Sequence, residues 1–336
     1  MTPRRFAALL IAIVIMCTVH GHAQRRGGPA PGPAQEITNI TGDLYFARTI
    51  SHSTAFLVTP DGIILADPIS TEFAMWLKGE LDRRFGKPVK YVIYSHFDFD
   101  HAEGGDVFAA TAQFIGHENM KKNLDGRLPR QPGGAVDKNG NGRLERDEAT
   151  GGTLAAFDRL DRNRDGSITP QELYADVRRP DVTYADRKTV TLGGKTVQLI
   201  HPGVNHSDDM TVLYFPAERA VFEVDIVFPK TTPGVWADYD WTPLRDWIAS
   251  IKAIETLDFD VVLPGHGRPG TKADVVANRE FLEDVAAAVS KGIADGKSLD
   301  ELKQTVTLDK YKDWPGFATG RVAHIEAAYN NLRNYK

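Results

Sequence analysis

A short β-type run, Tyr91-Val92-Ile93, empties into Tyr94-Ser95-His96-Phe97-Asp98-Phe99-Asp100-His101, which holds four potential metal ligands within six residues. This constrains the chain more than any other feature. A buried strand has to sit in a sheet, and its donor-rich continuation then sits at the sheet's end. Imidazole and carboxylate are donors that divalent transition metals take. The His-x-Asp-x-Asp-His alternation points ligands to one side of an extended loop and closes on two adjacent ones. A solvated loop can carry such a run by chance, so the rest of the chain has to decide.

Three further strand-like runs each end at a candidate ligand. Val197-Gln198-Leu199-Ile200 leads into His201-Pro202-Gly203-Val204-Asn205-His206-Ser207-Asp208, Ala220–Val224 ends in Asp225, and Asp260-Val261-Val262-Leu263 ends in Pro264-Gly265-His266-Gly267. Strand ends converging on one sheet edge are where α/β proteins build sites. The ordered series of Asp67, HxDxDH, His206, Asp225 and PGHG resembles the metallo-β-lactamase superfamily over roughly residues 40–285, interrupted once.

The resemblance implies an αββα sandwich and a two-metal site. The first metal would take His96, Asp98 and His206. The second would take Asp100, His101 and His266, and Asp225 would bridge the two. Asp67 matches the family's structural aspartate beneath the site. Asp98 departs from the pattern, standing where the family usually has histidine. A carboxylate still ligates, but as a harder donor, which leaves zinc, iron and manganese open as the metal. Periodicity by itself indicates only an α/β or α+β chain.

The 336 residues, 42% of them hydrophobic, are enough for one large core or two small ones. Arg4-Arg5, the apolar stretch Phe6–Val19 and Gly21-His22-Ala23 have the physics of a secretory signal, with cleavage expected after Ala23 and export to a bacterial periplasm or beyond. The apolar run is short for a span, which needs about 20 residues, so no stable membrane anchor is expected after cleavage. Bulky Met16 argues against a lipoprotein reading through Cys17, the sole cysteine, so the mature chain has no disulfide and no thiolate ligand. Removing Arg4 and Arg5, with no acid beside them, takes the net charge from −5 to −7. A mildly acidic surface argues against nucleic-acid partners. Oligomeric state is left open.

Residues 24–36 read as a disordered Arg-, Gly- and Pro-rich leader. Strands are expected at Leu44–Arg48, Ala55–Val58 and Ile63–Ala66, the last two joined by Thr59-Pro60-Asp61-Gly62. Thr71–Phe85 has helical spacing with Phe73, Trp76, Leu77 and Leu81 on one face. A short helix at Asp106–Ala110, a strand at Gln113–Gly116, several strands in 182–224 and helices at Trp241–Leu257 and 271–295 follow. Ser298-Leu299-Asp300-Glu301 opens another helix as a capping box. The hydrolase-like part is then 37–124 and 181–336, with 125–180 inserted.

The insertion carries the second strong signal. Asp137, Asn139, Asn141, Arg143, Glu145 and Glu148 occupy positions 1, 3, 5, 7, 9 and 12 of a calcium loop, with Gly142 at position 6. Asp161, Asn163, Asp165, Ser167, Thr169 and Glu172 repeat the pattern with Gly166. Position 7 supplies a backbone carbonyl and the final glutamate binds bidentately. The pair resembles an EF-hand pair, with Leu144 and Ile168 expected to form a small β-bridge. Only one short helix, Leu154–Leu160, fits between the loops, and Pro132-Gly133-Gly134 leaves the first without a credible entering helix.

The remaining histidines lie outside the ligand pattern. His117 reads as a surface or supporting residue, His52 and His201 as neighbours of the site, and His324 as part of the last helix. Trp236, Tyr239 and Trp241 either wall a substrate pocket or pack on the neighbouring helix. Asp208-Asp209 either orients His206 or sits in a solvated turn.

Together these features describe an exported hydrolase acting on a small molecule (ester, lactone, thioester, β-lactam or alkyl sulfate) through a metal-bound hydroxide, with Asp100 orienting the nucleophile and calcium bound in the insertion. The competing reading is a calcium-binding surface or periplasmic protein whose hydrolase-like site is decayed or holds one metal. Asp98 is the feature that favours it.

Overall fold

The computed structural model describes residues 35–126, 128, 136–233 and 242–335. The expected signal and most of the leader lie outside these residues, as do Trp236, Tyr239 and Trp241. The chain runs β1 (Glu36–Thr41), β2 (Leu44–Arg48), β3 (Ser53–Thr59), β4 (Gly62–Leu65), α1 (Thr71–Phe85), β5 (Val89–Ile93), α2 (Phe99–Ala102), β6 (Gln113–His117) and α3 (Glu118–Gly126). The inserted segment holds β7 (Leu144–Glu145), α4 (Gly151–Ala155), α5 (Phe157–Leu160), β8 (Ser167–Ile168) and α6 (Pro170–Leu173). Then come β9 (Val182–Tyr184), β10 (Arg187–Leu192), β11 (Lys195–Ile200), β12 (Val212–Phe215), β13 (Ala220–Glu223) and α7 (Leu244–Glu255). The chain closes with β14 (Val261–Pro264), β15 (Gly270–Thr271), α8 (Lys272–Ala294), α9 (Leu299–Thr305) and α10 (Phe317–Asn334).

The layering follows from strand alternation. Successive side chains of a strand point to opposite faces, and β3 is buried at every position, so both its faces must be covered. Ala55 and Leu57 join an inner cluster with Leu199, Phe215 and Phe222 of the other sheet, whereas Phe56 and Val58 pack outward with Phe73, Leu77 and Leu81 of α1. Val221 likewise turns from the inner cluster to one built on Trp247 of α7 and Phe281 of α8. Two sheets therefore face each other, and helices cover both outer faces. The first has the order β1-β2-β3-β4-β5-β6-β9 and the second β10-β11-β12-β13-β14-β15. The αββα sandwich expected from the resemblance is the observed fold.

β4, β5, β6 and β9 are parallel neighbours, as are β13 and β14. Parallel strands need crossover connections, and α1 supplies one, capped by Ser70 Oγ accepting from Phe73 N and ended by left-handed Gly86. The C-terminal ends of β4, β5, β13 and β14 lead into Asp67, His96, Asp225 and His266.

Several expectations need correction. The leader is not irregular to residue 36, because β1 starts at Glu36 and pairs antiparallel with β2 from Glu36 to Thr41. Its β-branched Ile37, Thr38, Ile40 and Thr41 are the signal that was missed. Residue 124 lies inside α3, which runs on to Gly126. The helix expected at Leu154–Leu160 is two short helices, α4 and α5, and that expected at Asp106–Ala110 is a 3-10 turn over Gly105–Phe108. His117 ends β6 rather than following it, and is buried with its ring stacked on His201 at 4.3 Å.

Within the insertion, Leu144 pairs with Ile168 in the two-stranded β7–β8 ladder. Gly142 and Gly166 have φ of 80° and 90°, in the left-handed region that favours glycine. Asp137 Oδ2 accepts from Gly142 N at 2.8 Å, and Asp161 Oδ2 from Gly166 N at 3.0 Å. Glu148 accepts from Lys138 N and Glu145 N, and Glu172 from Asn163 N and Thr169 N, so each final glutamate closes its own loop. The segment shares the core of the first sheet: Phe157, Leu160, Leu173 and Tyr174 belong to the same apolar cluster as Phe97 and Ala102. Tyr174 meets Phe97 at 5.4 Å, Glu103 pairs with Val177, and Arg159 donates to buried Glu103 at 2.9 Å. The insertion is therefore packed directly behind the loop that carries Asp98, Asp100 and His101.

His324 lies fully buried on α10, its Nε2–H donating to Pro233 O at 2.8 Å. Burial pushes its imidazole down to about 4, against that bond. Because the unfolded chain takes up this proton first, the associated stability is present above the ordinary value of 6.5 and is lost as pH falls towards 4, on the order of 3 kcal/mol. His324→Gln, which keeps a donor for Pro233, should flatten the difference in unfolding free energy between pH 7.5 and pH 5. Denaturant titrations at both pH values would show an unchanged difference if another group carries it.

Candidate metal centre

Each donor reaches the centre on its own strand end. The loop after β5 presents His96 and Asp98, and the single turn of α2 presents Asp100 and His101. Gly104 makes the exit possible: its φ is 87°, and a Cβ there would lie 2.5 Å from the Ser70 carbonyl oxygen. Across the sandwich, the loop between β11 and β12 brings His206, β13 brings Asp225, and β14 brings His266. Gly265 is similarly enforced, since a Cβ would fall 2.5 Å from Val224 Cγ1. Two non-glycine residues near the centre adopt positive φ, Ile69 at 70° and Asp225 at 59°. Both are costly conformations held by their surroundings; Ile69 N is tied to the His101 carbonyl at 2.8 Å.

The donors converge. His206 Nε2 and His96 Nε2 lie 3.1 and 3.3 Å from Asp98 Oδ2. His101 Nε2 lies 3.4 Å and His96 Nε2 3.6 Å from Asp225 Oδ2, and His266 Nε2 lies 3.2 Å from Asp225 Oδ1. His101 and His266 oppose their Nε2 atoms at 3.1 Å. For metal–nitrogen bonds of about 2.1 Å, neighbouring ligand atoms of a tetrahedron are about 3.4 Å apart, which is the spacing found. Possible ligand sets resolve into His96, Asp98, His206; His96, His101, Asp225; and His52, Asp100, His101, His266.

Hydrogen bonding adds a second argument for a cation. The Ser51 carbonyl can only accept, so the 2.8 Å contact puts a proton on His266 Nδ1. The other ring nitrogen, Nε2, then faces the Asp225 carboxylate at 3.2 Å, so positive charge, on the ring or on a bound cation, belongs between them. His96 Nε2 and Asp225 Oδ1, both buried, have no hydrogen-bond partner. The electrostatics agree. Burial works to raise the Asp225 carboxyl, but His266 and His101 hold it well below the usual range. Burial also opposes charge on Asp98 and Asp100; His96 outweighs it at Asp98, and His101 and His52 bring Asp100 down to about 2. Conversely, burial disfavours the charged imidazoles, yet Asp100 and Asp225 lift His101 to about 10, and Asp98 and Asp225 lift His206 to about 9. Three carboxylates at one centre, Asp225 buried among them, thus call for cations, and the donor chemistry fits divalent metals.

Supporting residues follow the usual logic of orienting ligands from behind. Asp67, fully buried and raised by that burial, accepts from Ser95 N at 2.8 Å, and Ser95 Oγ contacts His96 Nδ1 at 2.9 Å. The Asp208-Asp209 pair sits in a turn, with Asp208 partly exposed and Asp209 buried. His206 Nδ1 has no hydrogen-bond partner, so neither carboxylate orients it by such a bond, and Asp209 is fully buried rather than solvated. Asp208 instead accepts from Asn119 and Asn123 of α3. His52, placed outside the ligand pattern by sequence, lies with Nε2 3.1 Å from Asp100 Oδ2. A lone histidine between two strands carries no spacing signal that could have revealed it.

A two-sheet sandwich with a histidine–aspartate cluster at its strand ends defines a metal-binding αββα protein. The chain belongs to the metallo-β-lactamase superfamily, whose sequence profile matches residues 48–266. It is 25% identical over 302 residues to the 2,4-dinitroanisole O-demethylase subunit alpha of Nocardioides sp. (strain JS1661), covering 88% of this chain and 75% of that protein. It is also 25% identical over 299 residues to the linear primary-alkylsulfatase of Pseudomonas sp. (strain ATCC 19151), covering 82% of this chain and 52% of that one. Among solved structures, a metallo-beta-lactamase from Pontibacter korlensis matches with TM-score 0.52 and 18% identity, over 74% of this chain and 99% of that one. The sec-alkylsulfatase Pisa1 from Pseudomonas sp. matches with TM-score 0.63 and 14% identity, over 89% of this chain and 50% of that one. At these identities the structural likenesses speak for the fold alone.

Proposed function

We propose that the protein is an exported metal-dependent hydrolase of small organic esters, sulfate esters among them, with calcium held in its insertion. The observation that carries this reading is the convergence of His96, Asp98, Asp100, His101, His206, Asp225 and His266 on one centre. His96, Asp98 and His206 would hold one divalent metal and Asp100, His101 and His266 a second, with Asp225 available to either. Metals bound there supply Lewis acidity and an activated water.

The chain's own groups do the rest. His266 keeps its Nε2 lone pair inward through the Ser51 carbonyl. Asp225, its side chain only 5% exposed, is the fixed central charge, while Asp100 at 38% is the carboxylate on the open side. Asp100 is thus the group placed to orient a water and take its proton. Ile50, 82% exposed two residues before His52, and Val204, 41% exposed two residues before His206, offer apolar surface on the loops carrying those histidines. An alkyl or aryl substrate group suits them, and both curated relatives are named for substrates with such a group. A panel of chromogenic carboxylic esters, lactones, β-lactams and alkyl or aryl sulfates tests the reading. Turnover of a member, abolished by chelation and restored by metal, is the expected result; none by metal-loaded protein would overturn it.

For calcium, the two twelve-residue loops and their paired Leu144 and Ile168 support binding at the roughly 10⁻⁴–10⁻³ M affinities of extracellular modules. Glu148→Gln and Glu172→Gln should each weaken calcium binding at least tenfold (~1.4 kcal/mol) and reduce the rise in melting temperature that calcium produces. Turnover at saturating calcium should change little. If calcium leaves the melting temperature of the unaltered protein where it was, the bracing role is wrong.

A further inference from the structure

The loop from Thr49 to Ser53 joins β2 to β3 and closes over the second group of donors. Ser51 O accepts from His266 Nδ1 at 2.8 Å, and Ser53 N donates to Gly265 O at 2.8 Å, so the loop is fastened to the His266 turn by its backbone. Between these two anchors His52 turns its ring inward. Its Nδ1 is engaged by Ser51 Oγ at 2.8 Å, and its Nε2 lies 3.1 Å from Asp100 Oδ2. The ring centroid is 4.6 Å from that of His266 and 5.3 Å from that of His101. One donor atom from each of His52, Asp100, His101 and His266 falls within 4.8 Å of the others.

We infer that His52 is itself a ligand of the second metal, adding an imidazole to Asp100, His101 and His266. The inference rests on the two-metal reading above and adds a residue to it. The donor spacings carry it. His52 Nε2 to Asp100 Oδ2 is 3.1 Å, Asp100 Oδ2 to His101 Nε2 is 3.7 Å, and His101 Nε2 to His266 Nε2 is 3.1 Å. These are ligand–ligand edges around a single ion, and with Asp225 the pocket offers five donors. Five nitrogen and oxygen donors exceed the tetrahedral set typical of structural zinc and suit an ion that accepts higher coordination. His52 thereby offsets, at the second metal, the imidazole that Asp98 replaces at the first.

Cobalt(II) added to chelator-stripped full-length protein tests this independently of turnover. The unaltered protein should bind two equivalents, with a visible band from the second site. His52→Ala should weaken one of the two sites by at least about 100-fold, beyond the roughly 10–100-fold cost of losing an outer partner, and shift that band. His52→Gln keeps a hydrogen-bond donor for Asp100 but not an imidazole, and should behave like His52→Ala. Recovery of affinity and spectrum in His52→Gln would overturn ligation, leaving His52 as a positioning residue for Asp100. Two unaltered sites in His52→Ala would overturn the inference while leaving the two-metal reading intact. Failure of the unaltered protein to bind cobalt would overturn both.

Discussion

His101→Ala and His266→Ala are each expected to abolish hydrolysis while leaving the sandwich folded. Both rings pack against other histidines of the centre, His101 on His96 and His266, and His266 on His52. Both aim Nε2 at the two oxygens of Asp225, at 3.4 and 3.2 Å. Removing either would take a nitrogen donor from the proposed second metal and leave the carboxylates of Asp100 and Asp225 short of compensating charge. The loss should exceed the roughly 10–100-fold that follows removal of an outer partner of a ligand. Initial rates on the substrate found by the panel, with metal content and far-ultraviolet circular dichroism measured on the same samples, check this. Near-normal rates in either variant would remove that histidine from the centre.

Asp98 is expected to control which metal the first site prefers. Its Oδ2 lies 3.1 Å from His206 Nε2 and 3.3 Å from His96 Nε2, so the first site offers two imidazoles and one carboxylate. Replacing a neutral imidazole by an anion adds negative charge and a hard oxygen donor, which shifts preference from zinc towards iron or manganese. Asp98→Ala should lose the metal of that site alone, by tenfold or more in affinity (~1.4 kcal/mol), and Asp98→His should turn the site towards zinc. Mass spectrometry of metals bound after growth with all three ions decides between these outcomes. Unchanged stoichiometry and identity in Asp98→Ala would mean that this carboxylate is not a ligand.

Much of the architecture was legible because its signals are local. β2 and α1 were readable to their ends: Leu44–Arg48 is a compact apolar run, and Thr71–Phe85 combines 3.6-residue spacing with a capping serine and a terminal glycine. β1 was harder, since its burial is only partial and its partner across the hairpin supplies the order. The two loops of the insertion were visible because each is a contiguous twelve-residue pattern. Their docking was not, because Tyr174 meets Phe97 only once β9 has brought the end of the insertion alongside β6.

The sequence by itself placed donor-rich loops after β-type runs that must end at a sheet edge, and the family resemblance picked His96, Asp98, Asp100, His101, His206, Asp225 and His266 out of them. The tertiary structure alone decided which of these atoms face one another. Residues 48 positions apart, such as His52 and Asp100, meet because β3 hydrogen-bonds β4, β4 runs parallel to β5, and Ser53 ties the β2–β3 loop to Gly265. Pairing across sheets depends on register, and register is set by the whole set of buried faces rather than by any local run of residues.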